Sequence, residues 1–299
     1  MFSITGALRL TFLLIAVLYH FLPAPAAAQH DNSVPTPVVY AWSEAMADDV
    51  RGHYPIELLK LALARSGEAY LAKPSKHELG QYRTLRHVQM DRDLDVVWTF
   101  TSTARERELL PVRIPIDRGL LGWRLLLING AEQDKFRQLS AEQLKQLRSG
   151  QGHDWPDLPV LLHNGFNVVP SSSYSGLFAM LKRHRIDYFP RSATEIWPEQ
   201  AQHSQDGIVV DQHWALHYPA PLYFFVSHDK PQLALAIEKG LRAALEDGSM
   251  KQLFLQHFSD AITQAALNRR QVVQLTNNDL PPATPLDEPQ LWFDPQFGY

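Results

Sequence analysis

Apolar and polar positions alternate in blocks along the chain, and the blocks switch period. Val38–Trp42 is a run of β-branched and aromatic residues, which predicts a strand. Pro55–Ala64 carries apolar residues at helical spacing, with Pro55 at the expected first helical position and Gly67 as the cap. Tyr70–Ala72 predicts a second strand, Gln81–Met90 a second helix and Asp95–Phe100 a third strand. This β-α-β-α-β order argues for an α/β fold with parallel strands.

A long apolar strand is predicted over Leu121–Ile128. A helix follows from Ser140, where Gln143 completes a capping box. The pattern then predicts a helix ending at His163 with Gly165 as its cap, a strand over Phe166–Val169, a helix over Tyr174–His184 and a strand over Ile186–Phe189. Leu222–Val226 predicts a buried strand and Pro231–Leu245 an amphipathic helix. Met250–Phe258 and Ser259–Asn268 predict two further helices. From Thr276 the periodicity stops. Pro281, Pro282, Pro285, Pro289 and Pro295 predict an extended strap, and Leu291, Trp292 and Phe293 are candidate anchors for it.

Composition narrows the function classes. The 299 residues are 45% hydrophobic and 20% charged, with a net charge of −4. Such a chain lacks the basic surface that nucleic-acid binding requires. Cysteine is absent, which excludes disulfides, thiol nucleophiles, cysteine-based zinc sites and iron–sulfur clusters. Near the start, Leu10–Leu18 is apolar, Pro23 follows and Ala26-Ala27-Ala28 precedes Gln29. This predicts a secretory signal peptide over residues 1–28, cut after Ala28, and no integral membrane protein after its removal. Periplasmic localisation follows as the expectation. Of the 13 histidines, His213 and His217 have metal-ligand spacing only if helical, and Pro219 and Pro221 beside them argue for an extended segment. No catalytic motif, cofactor motif or phosphate loop is present, and the chain is read as a non-enzyme without cofactor.

The stretches Tyr40–Trp42, Asp95–Arg107, Ile114–Ile116, Met180–Asp187 and Leu222–Gly248, in this order behind a signal peptide, resemble the periplasmic solute-binding proteins of the amino-acid type, family 3. The resemblance implies a type II periplasmic-binding fold: two lobes, each a mostly parallel sheet flanked by helices, with two crossover strands as hinge. Carried onto this chain, lobe one is 35–127 with 217–270, lobe two is 128–216, and the strap is 271–299. The implied function is capture of a small polar, carboxylate-bearing solute between the lobes, for an ABC transporter permease or a membrane sensor. The alternative is a binding-fold protein that has lost its ligand and acts as an envelope interaction partner. An exported enzyme with this fold as an accessory is the remaining and weakest reading.

The resemblance also implies site residues. Arg105, in the segment Thr101-Ser-Thr-Ala-Arg105, corresponds to the arginine that clamps a carboxylate through two parallel hydrogen bonds. A solvated arginine beside Glu106 and Glu108 is the alternative. Trp42, Trp98, Thr99 and Thr101 fall at predicted strand ends that face the cleft, although tryptophans there also serve as packing. Glu44 is a candidate for an amino group. His153, Asp154 and Trp155 belong to the turn before a cleft-facing helix. Where the family places an acid after Asp187, this chain has Arg191. In the cleft, Arg191 would favour an anionic or dianionic solute; outside it, an ion pair with Glu195.

Overall fold

The computed structural model describes residues 34–41, 50–76 and 81–298. The expected signal peptide, and the candidates Trp42 and Glu44, lie outside the described residues.

The first part of the chain builds β1 (Thr36–Tyr40), α1 (Val50–Arg65), β2 (Tyr70–Pro74), α2 (Gln81–Gln89) and β3 (Val96–Phe100). β1 lies between β2 and β3 and is parallel to both. α1 starts before Pro55, which sits inside it and leaves one intrahelical acceptor without its donor. α3 (Thr103–Glu108) and β4 (Leu110–Val112) follow, and the chain then passes to a second sheet. That sheet is built from β5 (Trp123–Asn129), α4 (Gln133–Gln138), α5 (Ala141–Gln146), β6 (Ser149–Gly152), α6 (Asp157–His163), β7 (Val168–Ser171), α7 (Tyr174–Lys182), β8 (Tyr188–Ser192), α8 (Ile196–Gln202) and β9 (Ile208–His217). The capping box read at Ser140 and Gln143 opens α5.

The chain returns with β10 (Leu222–Val226), α9 (Pro231–Glu246) and α10 (Ser249–Ala265). It crosses once more to β11 (Gln271–Gln274), which pairs with β9. The strand orders are β2-β1-β3-β10-β4 and β11-β9-β5-β8-β6-β7. Each sheet is mostly parallel, with one reversed strand: β10 runs against the other four of the first sheet and β5 against the other five of the second. β10 is antiparallel to β3 and β4, and β5 is antiparallel to β8 and β9, because these strands carry the chain between the sheets and back.

The boundary expected at 127/128 falls inside β5, which belongs wholly to the second sheet. The passages between the sheets are residues 113–122, 218–221 and 266–270. Residues 271–274, expected as the start of the strap, are a strand of the second sheet. α10 is one helix where two were expected. Ser259 reads locally as a new cap, but the apolar face formed by Met250, Phe254 and Phe258 carries on through Ile262, and the helix ends at the left-handed Ala266.

β10 reads as a continuous apolar run because it lies between β3 and β4 with four of its five side chains buried. α9 packs on α1 with Gly240 against the backbone; a Cβ there would lie 1.8 Å from the Ala62 carbonyl oxygen. One apolar core runs through both sheets, from Val38 and Phe224 to Leu125 and Phe189.

The strap docks on this core. Leu291 and Phe293 are buried, and Phe293 meets the rings of Trp123 and Phe254 edge-on and tilted. Trp292 covers Gly119, whose φ of 71° and missing Cβ admit the indole. Arg118 donates to the carbonyls of Gln290 and Trp292, both at 3.1 Å, and accepts from the Phe293 N–H at 2.7 Å.

Candidate functional site

Between the sheets lies a cavity of about 350 Å³. One wall comes from the end of β3 and the start of α3. Thr99 stands on the opposite face of β3 from Trp98, and Thr101 follows just past the end of the strand. Thr99 and Thr101 line the cavity, whereas Trp98 packs between Tyr40 and Phe224, at ring separations of 6.3 and 6.4 Å. Trp98 is therefore a packing residue, not part of this cavity.

Ser102 caps α3 by accepting from the Arg105 N–H at 3.0 Å, which aims the first turn at the cavity. Glu106 is fully engaged: one oxygen accepts from Thr101 at 2.8 Å and the other from Arg113 at 2.5 Å. Arg105 is thus left without that acid. It lines the cavity half-buried, and its Nε has no hydrogen-bond partner among the described residues. Burial lowers the guanidinium pKa, with Glu108 opposing the shift. A partly desolvated, incompletely paired cation gains when an anion meets it.

The opposite wall holds three residues that sequence reading missed. Arg124 of β5 contacts Asp157, at the start of α6, at 2.7 Å and Glu195 at 3.7 Å. Tyr218, in the returning passage, donates a short hydrogen bond to the same Asp157 oxygen and lies beneath the Arg124 guanidinium at 5.8 Å. Burial works against the charge of Arg124, but the Asp157 carboxylate and its neighbours raise its pKa. Burial and Asp157 push the Tyr218 hydroxyl well above its ordinary value. A lone charge inside the apolar run Trp123–Ile128 was the available signal, since a buried arginine demands an acid. Nothing local marked Asp157 or Tyr218 as its partners.

Arg191 does not line this cavity. It is 6% exposed and is held by Glu199 at 2.7 and 2.6 Å and by Glu195 at 3.1 Å. Trp155, Phe189 and Tyr174 surround its guanidinium at 4.7, 5.3 and 5.7 Å. Burial opposes its charge, and the two glutamates more than restore it. The expectation of a second free arginine fails because two acids already neutralise it. Trp155 belongs to this cage and covers Gly152, where a Cβ would strike the indole. His153 and Asp154 are exposed, 3.7 Å from one another, and do not reach the cavity. Glu195 links the Arg191 cage to Arg124, so behind the second wall lies one network of two arginines and three acids. His213 and His217 both lie in β9, His213 where the strand bulges away from β5, so they do not share one face of a helix.

The third side is the strap: Asn277, Asn278 and Asp279 line the cavity.

No protein-family model matches the sequence, and no curated protein matches it. Solved structures do. The probable amino-acid ABC transporter extracellular-binding protein ytmK from Bacillus subtilis is 18% identical, with a TM-score of 0.56, over 76% of this chain and 99% of that one. An ancestral arginine-binding protein bound to arginine is 16% identical, with a TM-score of 0.50, over 69% of this chain and 87% of that one. The chain has the type II periplasmic-binding fold. At these identities the likeness is one of fold. In a type II periplasmic-binding fold the two sheets are the two lobes, and the cavity between β3, α6 and the passages is the inter-lobe cleft. Open α/β sheets hold their ligands in such a crevice, at the carboxyl ends of strands.

Proposed function

We propose that the protein is a non-enzymatic solute-binding protein, exported to the periplasm, whose cleft takes a small polar solute with one carboxylate. The observation that carries this is Arg105. Of the two arginines lining the cavity, Arg124 is paired with acids and Arg105 presents an incompletely satisfied guanidinium beside hydroxyl groups. The neutralised Arg191 removes the case for a dianionic solute. Opposite Arg105, the Asp157 carboxylate lines the cavity beside Arg124 and Tyr218, which suits a solute whose other end is cationic or a donor. An amino-acid-like solute meets both demands. The names of the two structural neighbours agree with this class. The first lobe on this reading is 35–112 with 222–265, and the second is 123–217 with 271–274.

Delivery to an ABC importer or presentation to a membrane sensor is the role that fits. Among the described residues, no helix is long and apolar enough to cross a membrane.

A thermal-shift screen of the mature chain tests the reading, using amino acids, dicarboxylates, sugars and peptides. A solute at 100 times its Kd stabilises by about 2.7 kcal/mol, which moves Tm by several degrees. The expected result is a response to monocarboxylate amino acids that Arg105→Ala abolishes. A panel-wide absence of response would overturn it in favour of an envelope interaction partner. A response that survives Arg105→Ala would reassign the site.

A further inference from the structure

Past β11 the chain crosses the cleft a final time, and it is fastened on both sides. On the second lobe, Asn164 at the end of α6 grips Thr276 twice: its Nδ2 donates to the Thr276 carbonyl at 2.8 Å and its Oδ1 accepts from the Thr276 N–H at 2.9 Å. Asn277 then donates to the Pro219 carbonyl at 3.0 Å, in the passage between the lobes, and accepts from the Asp279 N–H at 3.2 Å. On the first lobe, the Thr103 N–H donates to the Asp279 carbonyl at 3.2 Å, and the Thr103 hydroxyl reaches the same oxygen at 3.4 Å. Beyond it the strap runs to its anchors at Leu291 and Phe293.

Four residues thus join the lobes. Fully extended they span at most about 14 Å, and the Asn277 turn shortens them further. Little slack is left. For the cleft to widen at this edge, the bonds at Thr103 or at Asn164 must break.

We propose that residues 276–279 are an additional inter-lobe tie that sets the opening of the cavity, with Thr103 and Asn164 as its positioning residues. The use of the tie rests on the solute-cavity reading, but its existence is testable without any solute.

The absence of native cysteine allows labels to be placed cleanly. The full chain carries Lys60→Cys on α1 and Arg183→Cys after α7, both exposed and one on each lobe. Spin labels there report the inter-lobe distance distribution by pulsed electron resonance with no solute added. Thr103→Pro removes the N–H and the hydroxyl together. Proline suits this first helical position, and Ser102 before it is already extended at φ −158° and ψ 162°. Asn164→Ala removes the other fastening. Thr103→Ala keeps the N–H and serves as the control. The expected result is one narrow distribution in the parent and in Thr103→Ala, and a broader, outward-shifted one in Thr103→Pro with Asn164→Ala. The Thr103→Pro single variant carries the test if the double variant does not fold. An unchanged distribution in folded variants would overturn the tie, whatever the solute screen shows. Loss of stability alone leaves the distance unmoved, so the readout separates a tie from a merely structural contact.

Discussion

At the scale of single residues, burial and partners decide what each charge does. Asp117 sits in the passage 113–122 and is 3% exposed. It accepts from the N–H groups of Gly119 at 3.2 Å and Leu121 at 2.9 Å, yet burial pushes its pKa up to about 6. A carboxyl whose folded pKa lies above its unfolded value stabilises the fold when protonated. That contribution is present below pH 4 and is lost as pH rises through about 6. Relative to Asp117→Asn, the parent should lose on the order of 3 kcal/mol between pH 4 and pH 7. Urea unfolding of both proteins at the two pH values measures this, and a difference that does not change with pH contradicts it.

The same rule explains what could be read from single residues in the sequence. Arg105 was singled out by a resemblance of its segment, and the structure places it at the cavity. For Arg191 the alternative read from sequence, an ion pair with Glu195, is the one the structure shows, whereas Glu199 was not legible because only the turn from β8 into α8 brings it onto the guanidinium.

Elements were legible where side chains set them and obscure where the backbone did. β10 was read to its ends because aromatic and β-branched residues fill it. β6, Ser-Gly-Gln-Gly, carries no strand signal. It is a strand because β7 and β8 hydrogen-bond to it, and Gly150 and Gly152 make room for Ile186 and Trp155. The seat of α9 on α1 depends likewise on an absent side chain. Gly240→Ala would raise helix propensity in isolation, but its methyl would collide with the Ala62 carbonyl oxygen. Overpacking of this kind costs about 1–3 kcal/mol or more. A lower unfolding midpoint in denaturant is expected, and a raised midpoint would show that the helices can move apart.

For the whole molecule, the alternation of strands and helices was visible from sequence, although β4, β6, β9 and β11 were not, and neither was the cavity as a whole. Its walls come from residues 99–105, 124, 157, 218 and 277–279, and no local pattern joins positions so far apart. The strap was legible at its end, where Leu291 and Phe293 are too apolar to remain in water. Phe293 touches rings from β5 and from α10, so Phe293→Ala should cost about 3–5 kcal/mol in equilibrium unfolding. A cost below 1 kcal/mol would mean that the strap is not anchored there.

The fastening of the strap across the cleft bears on what a membrane partner can sense. A binding protein whose lobes swing announces its cargo by its silhouette. In the proposed tie, the bonds at Asn164 and Thr103 would restrict that swing. A partner docked over both lobes would then gain its signal from the solute itself and from the exposed Asn278 and Asp279 beside it, and less from the shape of its messenger.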